Sequence, residues 1–122
     1  MAKKLWEASK DRKLNSNLCD YEKFISKRFN LKFSNNYKNI LNWSIKNSGD
    51  FWSSIWDFSK IKGKKSNQKI KKSKIFYKNL FLPGSKLNFA NNLLAKNDKK
   101  KAATFISENG FREEKSWRIL NE

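Results

Sequence analysis

The chain has 122 residues, enough for one modest domain, carries a formal net charge of +17 and contains a single cysteine, Cys19. An intramolecular disulfide is excluded, and the lack of histidine removes Ser-His-Asp and Cys-His nucleophile systems and every His-based metal site. No apolar run reaches the length that spans a bilayer, and Met1-Ala2-Lys3-Lys4-Leu5-Trp6-Glu7 offers no secretory apolar segment, so a reducing cytoplasm is the expected compartment.

Such a charge first suggests nucleic acid, because Lys and Arg neutralise phosphates. Yet of 28 basic residues only Arg12, Arg28, Arg112 and Arg118 are arginine, and base readout prefers the forked guanidinium. Lys, Asn, Ile and Phe share A/T-rich codons, so coding bias accounts for the lysines better than selection for polyanions, and specific nucleic-acid recognition is not expected. Five Trp and ten Phe are many for so basic a chain. Rings that the chain cannot cover by itself should form an apolar patch that marks a missing partner or missing sequence.

Residues 1–15 read as an irregular arm anchored by Trp6. A helix should start at Ser16 or Asn17 with Asp20 in its first turn, and Tyr21, Phe24, Ile25 and Phe29 then fall on one face. Residues 30–34 should reverse the chain with Leu31 and Phe33 inward. A second helix is predicted over 36–46, with Tyr37, Ile40, Leu41, Ser44 and Ile45 sharing a face. Ser48-Gly49-Asp50 then supplies a left-handed glycine C-cap and the next N-cap. The third helix, about 50–59, carries Phe51, Trp52, Ile55, Trp56 and Phe58, a density of rings that requires burial on more than one side and reads as core rather than as a cofactor-stacking surface.

From 60 to 78 there are nine lysines, Lys60 and Lys78 at the ends, and no carboxylate. This reads as a solvated connection, with polyanion contact as the alternative. Gly63-Lys64-Lys65-Ser66 is not a phosphate loop, since Phe58 stands where the first glycine belongs and Lys65 stands at the Ser/Thr position. Pro83-Gly84 signals a turn, and a short helix should run from Asn88 to Leu94 or Lys96 with Ala90, Leu93 and Leu94 inward. Residues 102–107 and 111–115 read as strands joined by Asn109-Gly110, and Ser116 caps a helix opened by Trp117 and Leu120. A lone hairpin is marginal in water, so these strands should join a larger sheet.

No catalytic constellation emerges. Cys19 reads as a packed side chain, Glu113 and Glu114 point to opposite faces of a strand, and Asp50 is a helix-terminus residue although it could share a side with Asp57. No catalytic, cofactor-binding or metal residue is expected within these residues.

Several stretches, in order, resemble the opening region of acetoacetyl-CoA synthetases. Leu5-Trp6-Glu7-Ala8-Ser9 resembles the family's Trp-x-Pro-Ser, with Ala8 in place of Pro. Leu41-Asn42-Trp43-Ser44 resembles Leu-x-x-Trp-Ser, and Phe51-Trp52 with Ile55-Trp56-Asp57-Phe58 resembles Phe-Trp-x-x-Val-Trp-Asp-Phe. Phe81-Leu82-Pro83-Gly84 stands for Trp-Phe-Pro-Gly, and Leu87-Asn88-Phe89-Ala90-Asn91-Asn92-Leu93-Leu94 for Leu-Asn-Tyr-Ala-Glu-Asn-Leu-Leu. Acetyl-CoA synthetases share some of these elements, but Trp-Asp-Phe and Pro-Gly-x-x-Leu-Asn-x-Ala are similar to the acetoacetate branch.

The resemblance implies a mainly α N-terminal cap with a terminal β-hairpin, a partial fold that begins a larger α/β adenylate-forming ligase. Residues 1–97 would be the cap, and 98–122 the first hairpin and helix start of the AMP-binding large domain. In such ligases a carboxylate attacks the α-phosphate of ATP and the CoA thiol then displaces AMP, with a Ser/Thr/Gly-rich phosphate loop, a magnesium-supporting acid and a C-terminal lysine carrying the steps. None of those motifs is present here. ATP, Mg and CoA are implied for a full-length parent, with acetoacetate as substrate and the remainder of the ligase chain, not a membrane, as partner. The residues implied as structural anchors are Trp43, Phe51, Trp52, Trp56, Phe58, Pro83, Gly84, Leu87 and Asn88.

Overall fold

A serine followed by an acid and then apolar residues three and four apart is a helix start, and the chain uses it as one. In the computed structural model, which describes residues 5–34 and 36–122, α2 runs over Asn17–Phe29. The Ser16 hydroxyl accepts the Cys19 N–H at 3.2 Å, Asp20 lies in the first turn, and Lys27 and Arg28 lie in the last. Asn30 closes the helix in the left-handed region, φ 52°, donating its N–H to the Ser26 carbonyl. Before it, α1 forms a single short turn over Lys10–Leu14 capped by Ser9. The first four residues of the expected arm, and Asn35, lie outside the described residues.

The next two helices are α3, Tyr37–Lys46, capped by Asn36, and α4, Ser48–Phe58. The expected break between them differs in detail. Asn47 alone separates the helices, and Ser48, Gly49 and Asp50 already form the first turn of α4. Gly49 is therefore not a left-handed cap: a Cβ on it would sit 3.2 Å from Ile70 Cγ2 and Lys69 Cβ. Its small size lets residues 69–70 approach the helix.

The chain folds as two compact units. The first comprises residues 1–60 and 65–84. Its core is Tyr21, Ile25, Phe33 and Ile40, with Phe24, Phe29, Leu31, Trp43, Phe51, Ile55 and Phe58 packed around them. The inward face of α2 is the one the spacing predicts. That of α3 is not: Ile40 is buried and Trp43 half-buried, while Tyr37, Leu41 and Ile45 face solvent. Apolar residues surround this helix, and Trp43 wins the inward position because the rings of Phe29, Phe33 and Phe51 lie 5.2, 5.8 and 6.4 Å from its own. Trp6 is no buried anchor either, but lies exposed with the Arg12 guanidinium 5.7 Å over its ring. Also in this unit, β2 (Ile70–Lys71) pairs antiparallel with β3 (Leu80–Phe81), joined through a 3-10 turn at Phe76–Lys78.

The second unit comprises residues 61–64 and 85–122. In it β1 (Gly63–Lys64) pairs antiparallel with β4 (Lys86–Leu87), α5 covers Phe89–Leu93, and β5 (Lys101–Ile106) pairs with β6 (Arg112–Ser116). Gly110 turns this last hairpin at φ +81°, as the Asn-Gly signal requires. The Ser116 hydroxyl then accepts the Ile119 N–H to start α6, Trp117–Asn121. Among the described residues the chain is about 44% helical, with three two-stranded antiparallel sheets. No described helix is long and apolar enough to cross a membrane.

Candidate functional site

The informative surface of the first unit is α4, because it presents a different chemistry on each side. Trp56 is buried, and Phe51 and Phe58 lean on Tyr21 with ring centroids 6.2 and 5.2 Å away. Trp52 points outward, 43% exposed, against Phe81 of the β2–β3 hairpin at 5.7 Å. A polar link inside the core joins Tyr21 and Ser54, whose hydroxyls lie 2.7 Å apart, while the Ser54 hydroxyl donates to the Phe51 carbonyl at 2.7 Å. No buried side-chain polar atom among the described residues lacks a partner.

On its remaining side α4 carries two acids with separate tasks. Asp50 pairs with Lys69, and Asp57 binds both Arg28 and Lys65 through Oδ2, the latter at 2.7 Å. Lys65 also donates to the Ser53 carbonyl at 2.9 Å, and Arg28 lies 5.8 Å over the Phe24 ring and 5.6 Å over Phe29. Partial burial raises the Asp57 carboxyl, but hydrogen bonds and charge from Lys65 and Arg28 outweigh it and hold the group below its ordinary value. A carboxylate depressed in the folded state lends stability above its unfolded pKa of about 4 and loses it as pH falls through the lower folded value. Acid titration of the melting temperature should therefore show a flat neutral region and a decline below pH of about 4 that is shallower in Asp57→Asn. Parallel declines in the two proteins would remove Asp57 from the account.

These pairings correct the reading of 60–78 as a plain solvated connection. The stretch contains β1 and β2, and Lys65 and Lys69 bind α4. Gly63-Lys64 is strand rather than phosphate loop: a Cβ on Gly63 would meet the Lys86 carbonyl oxygen at 2.5 Å, so glycine is what lets β1 and β4 pair.

Of the remaining implied anchors, Pro83 is half-buried, Gly84 turns at φ +80°, Leu87 is 51% exposed in β4, and Asn88 caps α5 by accepting the Asn91 N–H at 3.0 Å. The expected inner face of α5 is corrected: Ala90 and Leu93 are exposed, and only Leu94 is half-buried. Asn92 takes the inward place instead. Its amide accepts the Lys62 N–H at 2.8 Å and donates to the Lys62 carbonyl at 2.9 Å, imitating a strand partner. Residue type alone could not reveal that clamp, which spans thirty positions.

Each unit carries a depression. One in the first unit, about 660 Å³, is lined by Leu14, Leu18, Cys19, Glu22, Tyr37 and Ile40 among others. The other, in the second unit, about 710 Å³, is lined by Lys62, Lys86, Asn88, Asn91, Leu94 and Asn121 among others. The depression of the second unit has no carboxylate or thiol in its lining. No group of three or more His, Cys, Asp or Glu able to hold a metal occurs among the described residues.

Comparison with known proteins supplies what the geometry does not. No family model matches the chain, and no solved structure matches it. Curated relatives do: the acetoacetyl-coenzyme A synthetase of Rhizobium meliloti (strain 1021) is 26% identical over 113 residues, covering 93% of this chain and 17% of that protein. The Gallus gallus acetoacetyl-CoA synthetase is 26% identical over 111 residues, covering 89% of the chain and 16% of that protein. The chain resembles the N-terminal part of acetoacetyl-CoA synthetases. A malonamoyl-CoA synthetase of Penicillium aethiopicum is also similar, 29% identical over 94 residues, 70% of the chain and 13% of that protein. The chain thus spans 16 to 17% of the length of the first acetoacetyl-CoA synthetases it matches. These names support a CoA-ligase family and lend nothing to the polyanion-binding alternative.

Proposed function

We propose that these residues form the N-terminal helical cap of an acetoacetate-CoA ligase, an enzyme that converts ATP, acetoacetate and CoA to acetoacetyl-CoA, AMP and diphosphate, and that their own part in it is structural. The observation that carries this reading is similarity along 87 to 93% of the chain to several acetoacetyl-CoA synthetases. The geometry adds support. Among the implied anchors, Trp43, Phe51 and Phe58 make ring packing and Trp56 lies buried, whereas Trp52 is 43% exposed. ATP, Mg and CoA belong to the parent enzyme in this reading, the rest of the ligase is the partner, and the setting is the cytoplasm. Acetoacetate is favoured over malonamate because most of the matched relatives carry the former name.

A chimera tests it. The matched N-terminal region of the Rhizobium meliloti enzyme is replaced by this chain, and AMP formation dependent on both acetoacetate and CoA is measured beside the simple deletion. The chimera should restore turnover that the deletion lacks. A soluble chimera no more active than the deletion would refute the structural assignment.

A further inference from the structure

The β2–β3 hairpin ends in a tip that the ligase reading leaves unused. Between its strands, residues 72–79 expose Phe76 at 88% and Tyr77 at 79%, with Ile75 and Leu80 also open to solvent. Four exposed lysines, Lys71, Lys72, Lys74 and Lys78, flank this apolar apex, and among the described residues none of their ammonium groups has an ion-pair partner. No Asp or Glu occurs in sequence between Asp57 and Asp98, and both nearby acids of α4 are already engaged by Lys65, Arg28 and Lys69.

The tip is built, not loose. The Ser73 N–H donates to Asn79 Oδ1 at 2.7 Å, the Lys78 N–H to the Ile75 carbonyl at 3.0 Å, and the Asn79 N–H to the Phe76 carbonyl at 3.1 Å. The base is fixed on α4 by Ile70 against Gly49, Lys69 on Asp50, and Phe81 on Trp52. Two large rings are therefore held in water by a fixed backbone. That arrangement is costly for a monomer unless the rings have somewhere to go.

We propose that this tip docks reversibly on an anionic lipid surface, with Ile75, Phe76 and Tyr77 entering the headgroup boundary and Lys71, Lys72, Lys74 and Lys78 facing the negative headgroups. The chemistry distinguishes a bilayer from a nucleic acid strand. Phe76 and Tyr77 are consecutive in a turn of three residues per revolution, so their rings diverge and do not offer parallel platforms to successive bases. Aliphatic Ile75 and Leu80 beside them suit hydrocarbon, and the tip carries lysine alone, a point charge that a headgroup layer attracts without the forked geometry base recognition favours. The absence of a spanning helix bears only on crossing a membrane, not on resting against one. Within the ligase reading, the inference requires that the remainder of the ligase leave this tip uncovered.

The test is co-sedimentation of the 122-residue chain with vesicles of equimolar phosphatidylcholine and phosphatidylserine, and with pure phosphatidylcholine. Binding should require phosphatidylserine and fall as salt rises. Phe76→Ser with Tyr77→Ser, and separately Lys72→Glu with Lys74→Glu, should each weaken it about tenfold or more, whereas Lys99→Glu with Lys100→Glu, the same charge change elsewhere, should weaken it less than about threefold. All three variants alter exposed side chains, and circular dichroism confirms their folding. Equal loss from both lysine pairs, no effect of the ring pair, or tighter binding to a single-stranded oligonucleotide than to the anionic vesicles would each overturn the proposal.

Discussion

Truncating Ile25 to Ala is expected to destabilise the first unit by about 2–5 kcal/mol, the range for removing a fully enclosed branched side chain from a core that relaxes only in part. Ile25 is 0% exposed and belongs to the buried cluster with Tyr21, Phe33 and Ile40. The loss combines transfer of the missing methyl groups with an unfilled cavity among neighbours fixed by α2 and α4. Small domains have only about 5–15 kcal/mol in total, so a large share of the folded population is at stake. Urea unfolding followed by tryptophan fluorescence reads the shift in midpoint. A change within error of wild type would show that α2 does not seat its apolar face as described.

The second large effect concerns the ring cluster. Trp43→Ala and Phe51→Ala should each cost about 3 kcal/mol, toward the lower end of large aromatic truncations because both side chains are half-buried. The double variant should cost less than the sum. Trp43 and Phe51 are in edge contact, 6.4 Å between centroids, and once one ring is gone the other has already lost part of its packing. A coupling of about 0.5–1.5 kcal/mol in a double-mutant cycle is the expected reading. Strict additivity would mean that the two rings stabilise separate regions.

What was legible in the sequence follows from how far each signal reaches. The spacing of Tyr21, Phe24, Ile25 and Phe29 and the serine before them define α2 locally, and Asn109-Gly110 with Ser116 does the same for the last hairpin and α6. The inward face of α3 was not legible because Tyr37, Ile40, Leu41, Trp43 and Ile45 encircle it, leaving the choice to rings donated by other segments. Strands of two residues have no period to detect, and the lysines of 60–78 read as solvent-facing until Asp50 and Asp57 are brought alongside. Gly49 misled for a related reason: from sequence a glycine between helices signals a turn, whereas here it is the one residue small enough to admit the segment pressed on it.

That contact at Gly49 ties the evolution of two distant segments together. A bulkier residue at position 49 would press on the side chains at 69 and 70, and a slimmer residue at 70 would relieve part of that crowding. Among kindred sequences the two positions should therefore change size in opposite directions, as a matched pair, even where nothing else in the lysine-rich stretch is kept.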